Sequence, residues 1–288
     1  MKLTDISYAR AVMEKHGISP QKRFGQNFLI SENVVSRIAD AAGVEDSSLG
    51  IIEIGPGIGT LTQKLAERYR KVVAIEIDTS LLPVLEDTLS EYDNVKIISG
   101  DAMKTDFEEL VQNEFEGMRV AVCANLPYYI TSPILSALLE ADCFASVTVM
   151  VQKEVAVRIA AKPGSEDYSA FSVFCQYYAE PKLLFDVPAH CFLPQPKVTS
   201  AVIQLTVRQN RPWSIDNQDF FFRTVRASFA MRRKKLSNGL AAGFSFLGKE
   251  GAAQVIAACC LPENVRGETL SIEEFAAISN EIYRRSTL

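Results

Sequence analysis

The stretch Ile51-Ile-Glu-Ile-Gly-Pro-Gly-Ile-Gly-Thr60 decides the fold of this chain. Three apolar β-formers lead into Gly55, glycines follow at positions 57 and 59, and Leu61 begins a pattern with helical spacing. This order predicts a strand, a glycine turn and a helix. Glycine suits such a turn because its backbone takes a positive φ and no side chain holds a ligand away from the amide groups. We interpret the stretch as a cofactor-binding loop.

The spacing of the glycines narrows the choice of cofactor. A dinucleotide fingerprint, G-x-G-x-x-G, would need a third glycine at position 60, where this chain has Thr60. The order G-x-G-x-G suits S-adenosylmethionine, whose carboxylate needs only a few backbone donors at a helix N-terminus. A turn with a purely structural role is the alternative that this stretch alone leaves open.

The composition is that of a soluble globular protein. The chain has 288 residues, of which 48% are apolar and 23% charged, enough for one large domain and a small one. No apolar run approaches the roughly 20 residues of a membrane span, and the first residues do not resemble a secretory signal, so we expect a cytoplasmic protein. Six cysteines without C-x-x-C spacing and only two histidines predict reduced thiols and no metal site.

The formal net charge of −5 hides a basic segment. From Arg208 to Leu240, eight basic residues stand against two acidic ones, so this segment carries +6 and the rest of the chain −11. On a helix over 220–240, four of the basic residues would share an arc of about 100°, beside an apolar arc. These four are Arg223, Arg226, Arg233 and Lys234. The pattern indicates a phosphate-binding surface, and a solvated cationic face is the alternative.

Short apolar runs recur at nearly even spacing in the first half of the chain. They occupy 51–54, 72–77, 95–98 and 120–124. Helical patterns at 60–69 and 80–91 separate the first three runs, which is typical of repeated βαβ units and a parallel sheet buried on both faces. Further strands are predicted at 146–151, 182–187 and 200–207, with a helix over 152–161. A proline-rich loop, 192–198, precedes the last strand.

The predicted fold class is α/β, with a doubly wound, mainly parallel, Rossmann-like sheet and a small all-α C-terminal domain. After Arg208 only helical patterns remain, at 220–240, 252–260 and 271–284. We therefore predict a catalytic, cofactor-binding domain at 1–208 and a helical domain at 209–288. The stretch 22–29 fits neither periodicity and is predicted to be a loop.

Polar residues follow the predicted strands at the edge where open parallel sheets bind ligands. Glu76 comes after the second strand, 21 residues past Gly55, where a carboxylate accepts hydrogen bonds from ribose hydroxyls. Asp101 follows the third strand and can accept from an adenine amino group. Asn125-Leu-Pro-Tyr128 follows the fourth strand. Each acid alone would be an ordinary loop residue, but together they indicate a nucleoside-containing cofactor.

The tetrapeptide Asn125-Leu126-Pro127-Tyr128 predicts the reaction. The amino group of adenine is a poor nucleophile because its lone pair is delocalised into the ring. Acceptors for both amino protons, the Asn125 oxygen and a carbonyl near Leu126 or Pro127, would increase its nucleophilicity. Tyr128 offers a ring on which an extruded base can stack. Catalysis would then need orientation and charge stabilisation rather than a general base before attack. A turn that caps a helix near Ser132 is the alternative.

Seven motifs resemble those of the ribosomal RNA adenine N6,N6-dimethyltransferases, which are class I methyltransferases. They are Gln26-Asn-Phe-Leu29, Glu53-Ile-Gly-Pro-Gly-Ile-Gly-Thr-Leu-Thr62, Glu76-Ile-Asp78, Gly100-Asp-Ala102, Asn125-Leu-Pro-Tyr128, Phe192-x-Pro-x-Pro-x-Val-x-Ser200 and Arg226-x-x-Phe-x-x-Arg-Arg-Lys234. The motifs occur in order from about residue 20 to residue 240, so the resemblance covers most of the chain. It is strongest to the bacterial enzymes that act on 16S rRNA.

The resemblance implies both a substrate and a set of site residues. Two adjacent adenosines near the 3′ end of 16S rRNA would each be methylated twice from S-adenosylmethionine, in the small ribosomal subunit or its late precursor. Cofactor contacts would fall on Gln26, Asn27, Leu29, Gly55, Gly57, Glu76, Ile77, Asp101, Ala102 and Asn125. Phe192 would form the second face of a base sandwich with Tyr128. RNA would bind to Arg223, Arg226, Arg233 and Lys234.

Three alternatives share parts of this pattern. A large-subunit rRNA dimethylase has the same motifs, and a nucleic-acid-binding factor could keep the fold without the reaction. A DNA adenine methylase usually has proline at the position of Leu126. Nothing in the sequence requires more than a monomer.

Overall fold

The computed structural model describes residues 2–21, 24–43, 46 and 48–287. Lys22 and Arg23 of the predicted 22–29 loop lie outside the described residues. The chain separates into two compact units. The first contains the residues up to Ala156 together with Ala179–Val207, and the second contains Val157–Tyr178 and the residues from Arg208 onward.

The first unit is built on a seven-stranded sheet. Its strands are β2 (Gly50–Ile54), β3 (Lys71–Glu76), β4 (Val95–Ser99), β5 (Val120–Asn125), β6 (Ser146–Gln152), β7 (Ala179–Val187) and β9 (Ser200–Val207). Two short strands, β1 (Phe28–Leu29) and β8 (Phe192–Leu193), form a separate antiparallel pair. The order in the sheet is β4-β3-β2-β5-β6-β9-β7, parallel from β4 to β6, with β9 antiparallel to both of its neighbours. The predicted doubly wound, mainly parallel sheet is confirmed.

Helices accompany the strands of this sheet. They are α1 (Ile6–Lys15), α2 (Glu32–Ala42), α3 (Thr60–Ala66), α4 (Leu82–Thr88), α5 (Phe107–Phe115), α6 (Thr131–Glu140) and α7 (Lys153–Ile159). Of these, α5 has no counterpart among the predicted helices. Asp106 caps its first turn, because the Asp106 side chain accepts a hydrogen bond from the Glu109 amide at 3.0 Å. The chain order reverses on either side of β2, which lies between β3 and β5. This switch point is where open α/β sheets bind ligands.

The second unit is helical. Its helices are α8 (Ala170–Tyr178), α9 (Gln218–Ala230), α10 (Leu236–Gly243), α11 (Gly248–Ala258) and α12 (Ile272–Ser286). The sequence places 157–178 with the catalytic domain, whereas the structure groups these residues with the helices after Arg208. Aromatic packing explains the difference, because the Phe174 and Phe222 ring centroids lie 5.3 Å apart and those of Tyr177 and Phe221 5.2 Å apart.

The single helix predicted over 220–240 is wrong in its extent. Helix α9 ends at Ala230, and α10 begins at Leu236, whose amide donates to the Val265 carbonyl at 2.8 Å. The reason is helix packing. A Cβ on Gly239 would lie 2.4 Å from the Ala227 carbonyl oxygen, so α10 lies directly against α9 and cannot continue it.

Candidate active site

A cavity of about 290 Å³ lies at the carboxyl ends of β2 to β5, close to the lower limit for small-molecule sites. It brings together most of the residues that the sequence assigns to the cofactor and to catalysis. These are Gln26, Asn27, Gly55, Gly57, Glu76, Ile77, Asp101, Ala102, Asn125, Leu126, Pro127 and Tyr128. Residues separated by about a hundred positions in the chain therefore share one cavity, as the strand-end rule predicts.

The glycine turn forms one wall of the cavity. Gly55 has φ +69°, a left-handed conformation, and a Cβ there would meet no protein atom within 4 Å. This position is open to a ligand, which is the geometry that a bound cofactor requires. At Gly57, with φ +61°, a Cβ would lie 3.0 Å from the ring of Phe28. Phe28 thus packs directly on the turn.

Glu76 connects the end of β3 to the glycine turn. Its Oε1 accepts from the Asp78 amide at 2.8 Å, and its Oε2 accepts from the Gly57 amide at 3.2 Å. Burial raises the pKa of Glu76, although these backbone hydrogen bonds lower it. Each carboxylate oxygen has a second lone pair, so the group keeps acceptor capacity toward hydroxyl groups in the cavity.

The loop after α1 is attached to this same edge. Gln26 donates through Nε2 to Asp78 Oδ2 at 2.8 Å and accepts at Oε1 from the Gln21 amide at 2.8 Å. Asp101 caps the short turn after β4, where its Oδ1 accepts from the Met103 amide at 3.0 Å. The side chains of Gln26 and Asp101 are therefore fixed before any ligand arrives.

Asn125 is oriented by the same loop. Its Nδ2 donates to the Asn27 carbonyl at 3.0 Å, which leaves Oδ1 as the acceptor of the carboxamide. The Leu126 amide donates to the Met150 carbonyl at 3.2 Å, and the Pro127 carbonyl accepts from the Ile130 amide at 3.2 Å. Because the Pro127 carbonyl is engaged in the turn, the Leu126 carbonyl is the better candidate for a second acceptor.

Two adjacent tyrosines line the cavity next to this acceptor pair. The hydroxyl of Tyr128 shares a hydrogen bond with Ser200 Oγ at 2.7 Å, and burial raises the pKa of Tyr128. Ser200 is fully buried at the start of β9. Tyr129 is 61% exposed. The sequence predicts no role for Tyr129 or Ser200, because the exposure of Tyr129 and the contact of Ser200 with Tyr128 depend on the tertiary structure.

Leu29 and Phe192 are missing from the described residues that line the cavity. They are 3% and 2% exposed, lie opposite each other in the β1–β8 pair, and belong to a core cluster with Val35 and Ile38. Phe192 therefore lies in the core in this structure, and its stacking role opposite Tyr128 stays a prediction. Strand pairing turns the Phe192 ring into the core, and the ring helps to hold the loop that carries Asn27.

Glu53 is a buried acid for which the sequence predicts no role of its own. It is 1% exposed on β2, and its Oε2 has no hydrogen-bond partner among the described residues. Burial raises the pKa of Glu53 to about 8; the negative charge of Glu76 adds to this effect and the Thr62 hydroxyl opposes it. Glu53 is therefore mostly protonated at neutral pH.

The four predicted RNA-binding residues do not share one helical arc. Arg223 and Arg226 lie on α9, whereas Arg233 and Lys234 lie in the connection to α10. Arg223 donates through Nε and Nη2 to the Gly243 carbonyl, at 3.1 and 2.7 Å, and lies 4.5 Å from the Phe244 ring centroid. All four residues are exposed. The basic character of this surface remains, but its geometry is not that of a single helix face.

Two further features concern metals and membranes. Within the described residues, no group of three or more His, Cys, Asp or Glu side chains could hold a metal ion. In that same part of the chain, every helix is too short or too polar to cross a membrane.

A doubly wound sheet whose strand ends carry a glycine turn, carboxylates and an oriented asparagine defines the class of Rossmann-like methyltransferases. The family follows from comparison with known proteins. The family model for ribosomal RNA adenine dimethylases matches residues 18–284, and this chain belongs to that family. Its membership of this family makes the protein an rRNA adenine dimethyltransferase.

Similar proteins match this chain over nearly its whole length. Proteins named "Ribosomal RNA small subunit methyltransferase A" include one from Alkaliphilus metalliredigens, 45% identical over 99% of both chains. Another, from Shouchella clausii, is 49% identical over 95% of this chain and 93% of the relative.

Two solved structures share the fold. A dimethyladenosine transferase from Plasmodium falciparum has a TM-score of 0.76 and 24% identity, covering 90% of this chain and 98% of its own. The 23S rRNA methyltransferase ErmE has a TM-score of 0.69 and 24% identity, covering 89% and 100%. At this identity the two structures establish the fold alone.

Proposed function

We propose that this protein transfers methyl groups from S-adenosylmethionine to the N6 amino groups of two adjacent adenosines near the 3′ end of 16S rRNA. The product would be N6,N6-dimethyladenosine, and the role would be in maturation of the small ribosomal subunit. The observation that carries the proposal is the 3.0 Å hydrogen bond from Asn125 Nδ2 to the Asn27 carbonyl, which orients Oδ1 as an acceptor. The names of the relatives, 45 to 49% identical, support the small subunit over the large one as the substrate.

The residues of the cavity fit S-adenosylmethionine. The open position at Gly55 and the adjacent Gly57 would hold the amino-acid part, and Glu76 would accept from the ribose hydroxyls. Asp101 would accept from the adenine amino group, with Ile77 and Ala102 beside the ring. When bound, the cofactor supplies an electrophilic methyl carbon on a sulfonium sulfur.

The chain itself orients the substrate amine. Asn125 Oδ1 and the Leu126 carbonyl would accept the two amino protons of an extruded adenine, drawing its lone pair toward the methyl donor. Pro127, with φ −58°, makes the turn rigid, and Tyr128 would stack on the base while Ser200 holds its hydroxyl. The nitrogen loses its extra proton only after it has acquired the methyl group. Orientation and hydrogen bonding thus account for the chemistry.

The second unit would hold the RNA. Arg223, Arg226, Arg233 and Lys234 are all exposed and would contact phosphates; Arg223 would do so with the guanidinium N–H groups that the Gly243 carbonyl does not accept. We further propose a monomeric protein that works in the cytoplasm, where small-subunit precursors are assembled.

The test is methylation of purified small subunits that lack dimethyladenosine. With labelled S-adenosylmethionine, mass spectrometry of the digested RNA should show N6,N6-dimethyladenosine at two adjacent positions near the 3′ end. Large-subunit particles and duplex DNA serve as comparison substrates and should remain unmodified. Methylation of the large-subunit RNA alone, or of DNA alone, would contradict the proposal.

A further inference from the structure

Tyr129 is an exposed aromatic residue at the wall of the proposed active site. It is 61% exposed, lines the same cavity as Asn125 and Tyr128, and follows Tyr128 in a short 3-10 turn, Tyr128–Ile130. Single exposed apolar residues are common on protein surfaces. An exposed ring beside a cavity that receives a nucleobase is different, because every base offers a π-face for stacking.

The ring of Tyr129 lies beside Gly25. A Cβ on Gly25 would lie 3.4 and 3.5 Å from two ring carbons of Tyr129, so the ring is close to the loop that precedes β1. The turn that carries Tyr129 is closed by the Ile130 amide, which donates to the Pro127 carbonyl at 3.2 Å. A ring already positioned loses less conformational entropy when a ligand binds to it.

The two aromatic residues predicted to stack on the target base are less exposed than Tyr129. Phe192 is 2% exposed in the core, and the Tyr128 hydroxyl is bound to the buried Ser200. Tyr128 is half-buried beside Asn125 and so suits the target adenine, whereas Tyr129 presents its ring further out. We propose that Tyr129 stacks on the RNA base next to the target adenosine and so binds the substrate at the mouth of the cavity. This inference rests on the proposed function.

The proposal is tested with Tyr129→Ala, Tyr129→Leu and Tyr129→Phe. Unmethylated small subunits are the RNA substrate, and calorimetric titration with S-adenosylmethionine reports cofactor affinity. Stacking on one base predicts a rise of at least about fivefold in KM for the particles in the Ala and Leu variants. The Phe variant should retain the wild-type KM because it keeps the ring. Leu183→Ala removes a side chain that is 42% exposed on β7 and should leave KM unchanged.

Two results would overturn the stacking role. One is a wild-type KM in Tyr129→Ala or Tyr129→Leu. The other is a loss of cofactor affinity equal to the rise in KM, since Tyr129 would then act through the Gly25 loop on the cofactor. Either result bears on the stacking role only when the wild-type protein methylates small subunits. A wild-type protein inactive on these particles would instead overturn the proposed function, so the two failures are distinguishable.

Discussion

At Asn125, one hydrogen bond determines how a small polar side chain can act. The carboxamide nitrogen donates to the Asn27 carbonyl at 3.0 Å, so the oxygen is directed by a contact with a residue 98 positions earlier in the chain. An acceptor oriented in advance needs no reorganisation when charge develops on the substrate amine. The 24–29 loop therefore contributes to the cavity wall and also orients the proposed catalytic residue.

We expect Asn125→Ala to lower kcat by about 10²- to 10³-fold, the usual effect of removing one oriented group that stabilises developing charge. Affinity for S-adenosylmethionine should stay largely intact, because most of the cavity wall remains. Steady-state methylation of small subunits and calorimetric titration measure the two quantities. Asn113→Ala, an exposed position on α5, is the control and should retain kcat. Unchanged turnover in Asn125→Ala would show that the assigned mechanism is wrong.

Glu53 makes the stability of the fold depend on pH. Its pKa is about 8 in the folded protein, against 4.5 for an unperturbed side chain, so between these values the folded state holds a proton that the unfolded state has released. The contribution of Glu53 to the free energy of unfolding is therefore fully present below pH 4.5 and is lost as the pH rises toward 8. The loss is on the order of a few kcal/mol.

Glu53→Gln should remove this dependence. Glutamine keeps the shape of the protonated side chain and does not titrate, so the variant should gain stability relative to wild type as the pH rises from 5 to about 8. Urea unfolding at several pH values measures the free energy of unfolding of both proteins. Curves that stay parallel across this range would contradict a buried, protonated Glu53.

At the scale of elements, the β1–β8 pair and helix α1 position the cofactor edge. Phe28 ↔ Leu193 and Leu29 ↔ Phe192 pair across the two strands. Phe28 also packs in a cluster with Val12 of α1, Ile58 of the glycine turn and Leu81 after β3. The loop between α1 and α2 is thereby fixed on the glycine turn, which explains why Asn27 and Gln26 lie at the cavity.

We expect Gly57→Ala to weaken cofactor binding and to lower the free energy of unfolding by about 1 kcal/mol or more. An alanine would be strained at φ +61°, and its Cβ would lie 3.0 Å from the Phe28 ring. Gly117→Ala is the matched control. Gly117 has φ +80° but no protein atom within 4 Å of a Cβ, so it shares the backbone strain without the contact. Thermal unfolding compares the stability of the two variants, and calorimetric titration compares their affinity for the cofactor. Equal cofactor affinity in both variants would refute a role for the Phe28 contact.

At the scale of the whole molecule, charge is distributed unevenly. The formal net charge is −5, yet residues 208–240 carry +6. Some of these cations form ion pairs. Arg232 Nε lies 2.7 Å from Glu268 Oε2, and Lys235 Nζ lies 2.8 Å from Glu263 Oε1. The cations proposed for RNA are therefore a smaller set than the segment's composition suggests.

Replacing three of the four cations proposed for RNA by glutamine should weaken RNA binding and flatten its salt dependence. Each lost phosphate contact reduces the slope of log K against log salt by about 0.7 to 0.9, so the triple variant should lose roughly 2 to 3. Filter binding of small subunits at several salt concentrations gives the slope. The variant is Arg226→Gln with Arg233→Gln and Lys234→Gln. A control with the same charge change in the first unit is Arg70→Gln with Arg119→Gln and Lys182→Gln. Equal slopes for the variant and the control would place the RNA elsewhere.

The seven strands of the main sheet, the parallel order of the first five and most of the cavity residues could be predicted from the sequence, whereas β1 and β8 lie in stretches predicted as loops. Strand periodicity is a local property, and the rule that ligands bind at strand ends converts local motifs into a shared site. Glu76 and Asn125 end their strands and Asp101 follows β4, so no knowledge of side-chain packing is needed to bring them together. The motif resemblance then identified the family, which the comparisons confirm.

Only the tertiary structure decided the features that depend on contacts between distant segments. Phe192 is buried because β8 pairs with β1, more than 160 positions earlier, and α8 joins the helical unit because its aromatic rings pack on α9. The end of α9 at Ala230 depends on Gly239 packing against Ala227, and the exposure of Tyr129 depends on how the chain packs around its turn. Local periodicity determines what a segment can form, whereas burial depends on which other surface covers it, and that partner is selected only when the whole chain packs.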